Sequence, residues 1–211
     1  MTFILRCGLA AFLAFSVASA AQAHTHASTT AVAKAPALQT ALRGLWRGHV
    51  EQTRAYALAV HAGNAKAAAN AEAGVVANAH KLSDAVAGFY GKAAGERMFA
   101  LLAGHWGAVK AMTDAARRGD TDAGTRATTA LTANAHEIAA FLAGANPNLP
   151  EDAVFGLLAA HGAHHAAQIG QIMRGDMTSE AVTWKAMRQH MDAIADALAG
   201  AISKQFPEKV G

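Results

Sequence analysis

Leu45-Trp46-Arg47-Gly48-His49 returns as Leu101-Leu102-Ala103-Gly104-His105, and after the same interval again as Leu157-Leu158-Ala159-Ala160-His161. Other features keep the period without a gap. Gly63, Gly119 and Gly175 repeat, as do Ala87-Gly88, Ala143-Gly144 and Ala199-Gly200. Asn78-Ala79-His80 matches Asn134-Ala135-His136. Self-similarity at a fixed period marks a repeated supersecondary unit. Each copy carries a histidine at the same place, so the repeat concerns chemistry as well as fold.

Around each histidine the apolar residues follow a helical stripe. The first runs through Leu42, Leu45, Trp46, His49, Thr53, Tyr56 and Val60. The second runs through Met98, Leu101, Leu102, His105, Val109 and Met112, and the third through Val154, Leu157, Leu158, His161, His165, Gln168 and Ile172. These are the spacings of one helix face. Each stripe ends at Ala62-Gly63-Asn64, Arg118-Gly119-Asp120 or Arg174-Gly175-Asp176. Glycine supplies a left-handed helix end, and the Asn or Asp after it caps the next helix. The second helices have stripes of their own: Val75, Asn78, Leu82 and Val86; Leu131, Asn134, Ile138 and Leu142; Met187, His190, Ile194 and Leu198. Phe89-Tyr90-Gly91 and Asn146-Pro147-Asn148-Leu149-Pro150 read as turns between units. The sequence predicts an all-α, six-helix antiparallel bundle built from three αα-hairpin repeats of about 56 residues, over about 38–91, 92–147 and 148–207. Helices of roughly 20–25 residues are expected, with three turns at one end.

Phase and height sort the histidines. At ~100° per residue, His49, His105 and His161 sit mid-stripe, whereas His80 and His136 fall opposite Leu82 and Ile138 and should be solvated. The inward positions of the second helices are Asn78, Asn134 and His190. His49, His105 and His161 precede the turn glycines Gly63, Gly119 and Gly175 by one constant interval. Asn78, Asn134 and His190 follow the cap residues Asn64, Asp120 and Asp176 by that same interval. At ~1.5 Å per residue the partners are level, His49 with Asn78, His105 with Asn134, His161 with His190. All six groups then share one polar layer across an apolar core. Such a layer destabilises unless every member is satisfied.

Two readings follow. In one, His49, His105 and His161, with His190 as a fourth ligand, hold a divalent ion such as Zn(II), Cu(II), Ni(II) or Co(II), which imidazole suits. Asn78 and Asn134 orient those ligands. Helices ~8–10 Å apart around one axis place the rings within reach of it; helices laid out in a row do not. In the other reading, each His–Asn or His–His pair hydrogen-bonds across its hairpin and only fixes register. His165 follows His161 by one turn, at the place of Thr53 and Val109, and an i, i+4 histidine pair is a metal-ligand spacing. It lacks the Glu of the zinc-protease motif. His164 points away from the stripe toward the surface, and His61 sits near a helix end, where the dipole favours a cation.

The bulk of the chain narrows the setting. Residues 1–23 read as a secretory leader, with Arg6, an apolar run from Cys7 to Val17 and the cleavage site Ala21-Gln22-Ala23. Ala18-Ser19-Ala20 is a second acceptable site. The apolar run is too short for a membrane span and no later stretch is long enough. The expected location is therefore periplasmic or secreted, after cleavage near Ala23. Cys7 is the single cysteine. Its loss with the leader removes disulfides, thiolate ligands, a Cys nucleophile and covalent haem attachment from the mature chain. Residues 24–37 form a low-complexity tether, and 38–207 supply one domain with a sizeable core. Cleavage after Ala23 would expose His24-Thr25-His26, whose free amine and third-position histidine suit square-planar Cu(II) or Ni(II); a plain polar start is the alternative. The formal charge is +3 with Lys and Arg scattered, which argues against a nucleic-acid partner.

Several chemistries are absent. No Glu-x-x-His occurs for a ferritin-like di-iron site, and there is no phosphate loop, dinucleotide fingerprint or Gly-x-Ser-x-Gly. Met187 and Met191 read as core filling. No nucleophile–base pair stands out. Catalysis at a tri-histidine metal with an open position is a third reading, behind metal binding and a purely structural layer. Taken together, Leu45-Trp46-x-x-His49-Val50-x-x-Thr53-Arg54, Phe89-Tyr90-Gly91, Asn134-Ala135-x-Glu137-Ile138-Ala139-x-Phe141-Leu142, Asn146-Pro147 and Lys204-Gln205-Phe206-Pro207 resemble a family of small bacterial helical proteins of uncharacterised function. The likeness spans about residues 41–207. It implies that histidines at 49, 105 and 161 are the shared set, and that those at 80, 136 and 190 need not be. It implies no activity, cofactor or partner.

Overall fold

The three turn glycines take the left-handed conformation that the sequence requires of them, with φ of 68° at Gly63, 67° at Gly119 and 72° at Gly175. The next side chain caps the following helix each time. Asn64 accepts from the amide of Ala67 at 3.0 Å, Asp120 from that of Ala123 at 2.9 Å, and Asp176 from that of Ser179 at 3.1 Å. The structure, a computed structural model, describes residues 35–210. The leader, most of the tether and His24-Thr25-His26 lie outside the described residues.

Among the described residues the chain forms six α-helices and no strand: α1 (Pro36–His61), α2 (Ala65–Tyr90), α3 (Lys92–Arg118), α4 (Thr121–Ala145), α5 (Glu151–Met173) and α6 (Met177–Gln205), with a short 3₁₀ turn at Pro207–Lys209. The helices are longer than the stripes alone indicate. α1 begins at Pro36, because proline's fixed φ and missing N–H suit the first helical turn. Phe89 and Tyr90 are helical, and the turn between α2 and α3 shrinks to Gly91 at φ 89°.

Each helix packs against the next in the chain, and α6 packs back on α1. The odd helices α1, α3 and α5, which carry the histidine stripes, also touch one another. Their stripes therefore meet in the interior. One apolar cluster gathers Leu42, Trp46, Met98, Leu102, Met187 and Met191. A second, nearer the three glycine turns, gathers Tyr56, Val75, Trp106, Val109, Met112 and Ile172. The stripe histidines fall between these clusters in sequence along their helices. None of the described helices is long and apolar enough to cross a membrane.

α2 and α3 approach closely at Gly95. A Cβ there would lie 2.7 Å from the Ala87 Cβ and 2.8 Å from the Ser83 carbonyl oxygen. Backbone cannot yield as a flexible side chain does, so Gly95→Ala should destabilise by about 1–3 kcal/mol. Gly124 in α4 has open space around a notional Cβ. There Gly124→Ala should stabilise by about 0.5–1 kcal/mol through helix propensity. Denaturant unfolding of the two variants tests the pair, and equal or same-signed shifts contradict the packing.

Candidate metal centre

His49 on α1, His105 on α3, and His161 and His165 on α5 are buried, between 1% and 5% exposed. Each offers a ring nitrogen, and these nitrogens all lie within 4.8 Å of one another. The ring centroids form a compact four-cornered group. His105 stands 5.6 Å from His49 and 5.5 Å from His161, and His49 stands 5.8 Å from His161. His165 lies 6.1 Å from His49, 5.9 Å from His105 and 4.3 Å from His161. Nitrogens about 2.0–2.1 Å from one tetrahedral ion stand about 3.3 Å apart. The observed group is near that size without being closed onto a point.

The hydrogen bonding of the four rings is incomplete. His161 and His165 share one bond, Nε2 to Nε2 at 3.0 Å. Only one of the two nitrogens can carry the hydrogen, so the neutral rings are in complementary tautomers there. His49 Nε2, both nitrogens of His105 and His161 Nδ1 are buried with no hydrogen-bond partner among the described residues. Buried polar atoms left in this way are rare in folded proteins.

Electrostatics keeps the group neutral and therefore available as electron-pair donors. Burial, then the neighbouring His105, pushes His49 down to about 3. Burial pushes His105 down to about 4; the amide of Asn134 opposes this from close by, without hydrogen-bond geometry. His161 and His165 are driven well below the ordinary histidine range by burial and by the other rings of the cluster. In a low-dielectric interior a charged imidazole is disfavoured, and a second one beside it more so.

The inward groups of the even helices behave differently from a direct pairing with the histidines. Asn78 Nδ2 donates to the Leu45 carbonyl at 2.9 Å, and Asn134 Nδ2 to the Leu101 carbonyl at 3.0 Å. His190 Nε2 lies 2.8 Å from the Leu157 carbonyl oxygen. Each bond spans 33 residues and ends one helical turn before the stripe histidine. The partners are level, as their heights imply, but the donor meets backbone rather than ring. The sequence held a sign of this. A Cβ at Gly48 would lie 3.1 Å from the Asn78 amide nitrogen, and one at Gly104 would lie 3.2 Å from that of Asn134. Where the glycine becomes Ala160, the longer His190 replaces asparagine. His190 is thus not among the four converging rings, while His165 is.

One turn beyond His165, Gln168 donates to Glu180 at 2.8 Å. Glu180 is fully buried and takes two bonds from Arg54, at 2.7 and 2.8 Å. Arg54 holds its carboxyl below the usual range. No apolar stripe points to Glu180, which lies on the first turn of α6, away from the stripe that begins at Met187. His80 and His136 are exposed on one side, each with a face stacked on a phenylalanine, Phe99 at 4.2 Å and Phe155 at 3.7 Å. No family model, curated protein or solved structure matches the chain.

Proposed function

We propose that this protein, exported and folded as three hairpin repeats, binds one divalent transition-metal ion through His49, His105, His161 and His165. The observation that carries the reading is the set of unpartnered nitrogens in that cluster. The register task is performed by other groups, since Asn78, Asn134 and His190 tie the even helices to the odd ones through backbone carbonyls. Four histidines with nothing to donate to across their hairpins need another source of compensation, and an ion accepts four lone pairs at once.

The donor set narrows the ion. Four neutral imidazoles and no thiolate suit Zn(II), Cu(II), Ni(II) or Co(II) and do not suit Mg(II) or Ca(II), which take oxygen. Four protein ligands fill a tetrahedral ion, the pattern of a closed site, whereas catalytic zinc keeps a position open. Binding, storage or structural stabilisation therefore fits the geometry better than catalysis.

The test is the metal content of protein purified without a histidine tag, after exposure to each of the four ions, by plasma mass spectrometry. About one ion per chain is expected in the wild type, and little in His105→Ala. A wild type that retains none of the four overturns the reading.

A further inference from the structure

The third period of the sequence differs from the other two in its histidines. Gln52 and Ala108 correspond to His164, Thr53 and Val109 to His165, and Asn78 and Asn134 to His190. One of these three additional histidines, His165, belongs to the buried cluster. The other two face each other, with ring centroids 5.4 Å apart and planes at 56°. That separation is close to the 5.6 Å between His49 and His105 inside the cluster.

The pair sits between the cluster and water. His164 and His190 are both partly exposed, while the four cluster rings are sealed. His164 is the chain neighbour of His165 and lies on the same helix as His161. His190 is fixed to the carbonyl of Leu157, one turn before His161. Each lies close enough for its charge to act on the cluster, His190 on His161 and His164 on His165.

The hydrogen bond of His190 also sets its tautomer. A carbonyl only accepts, so Nε2 carries the hydrogen and Nδ1 keeps the lone pair. A ring N–H held by a backbone carbonyl is the way proteins orient metal-ligating histidines. Asn78 and Asn134 make the same bond beside glycine without offering a ring; beside Ala160 the bond takes a longer side chain, and of those histidine alone adds a metal-binding nitrogen.

We propose that His164 and His190 form an external two-histidine site that captures a divalent transition-metal ion from solvent and passes it to the buried cluster. This rests on the reading of the cluster as a metal site. A buried site is filled only during brief openings, and an ion already held on adjoining residues of α5 and α6 is present at high effective concentration when one occurs. His161 and His165, bonded to each other at 3.0 Å, share α5 with His164 and exchange for the ion's waters first.

The experiment follows Co(II) uptake by the metal-free protein in a stopped-flow spectrometer, through the visible absorption of tetrahedral Co(II). The variant is His164→Ala with His190→Asn, the residues found at 108 and 134. Asparagine makes this bond beside a glycine at Gly48 and Gly104, so Ala160→Gly is added to let it reach the Leu157 carbonyl. The expected result is the same final spectrum and stoichiometry, reached about tenfold more slowly or worse. Uptake at the wild-type rate overturns the proposal and leaves the cluster reading intact. A wild type that never develops the tetrahedral spectrum overturns both. Should the combined variant fail to fold by circular dichroism, His164→Gln alone, matching Gln52 at a partly exposed position, must still slow uptake several-fold; an unchanged rate sinks the proposal.

Discussion

One equivalent of Zn(II) is expected to raise the melting temperature of the metal-free protein by about 10–20 °C, and His165→Val to remove most of that rise. The magnitude follows from linkage. Structural zinc sites release about 10–16 kcal/mol on binding, which corresponds to dissociation constants from about 50 nM down to picomolar. A ligand at about 10⁴ times its dissociation constant stabilises by about 5.5 kcal/mol, because only the native state assembles the four rings. Each kcal/mol moves the melting temperature of a chain this size by about 2–4 °C. Valine is a fair replacement, since Val109 occupies the corresponding buried place on α3 at 2% exposure. The variant keeps His49, His105 and His161 and loses the fourth donor. Calorimetric melts with and without Zn(II) separate the alternatives. An architectural layer predicts a metal shift within about 1–2 °C for both proteins, with the variant differing only in its metal-free melt.

Much of this arrangement is legible in the sequence, and its limits have physical causes. Gly63, Gly119 and Gly175 mark helix ends because no other residue takes positive φ without strain, and the Asn or Asp that follows each is the cap. Helical phase places the β-carbons of His49, His105 and His161 inward, since phase depends only on backbone period. It does not say what a side chain reaches. Asn78 and Asn134 are level with histidines but short, and Gly48 and Gly104 open the neighbouring backbone to them. A buried carbonyl beside an amide offers a bond without ordering a second side chain. His190 follows the same geometry on α6, so its ring is held at Leu157 rather than in the cluster. His165 gains its place because α5 touches both α1 and α3, a tertiary fact that no single stripe contains. Glu180 and Arg54 were invisible for a related reason: a buried ion pair across 126 residues leaves no periodic trace.

Acid should unfold the metal-free protein between about pH 6 and 4, and the same cluster is responsible. In the unfolded chain each histidine titrates near 6.5. In the folded protein His49 is held down at about 3 and His105 at about 4, with His161 and His165 well below the ordinary value. Below pH 6.5 the unfolded state therefore binds more protons than the native one, so stability rises with pH and is lost as pH falls. The loss begins near 6.5 and ends only where the native rings would themselves protonate. Keeping one such ring neutral from about pH 6.5 down to about 3.5 costs about 4 kcal/mol, at about 1.4 kcal/mol per pH unit. His49 and His105 alone reach the scale of a typical domain's whole stability, about 5–15 kcal/mol, and His161 and His165 act in the same direction, so the chain unfolds before the native cluster titrates. Circular dichroism against pH should show a steep transition taking up about three or four protons. His165→Val removes one of these uptakes and should shift the metal-free midpoint to lower pH. The same substitution weakens stabilisation by Zn(II), so its two effects have opposite sign. The acid shift follows from burying a neutral ring under either role, whereas a register role predicts no loss of stabilisation by Zn(II). A metal-free midpoint below about pH 3, or a variant more acid-sensitive than the wild type, contradicts a neutral buried cluster held for an ion.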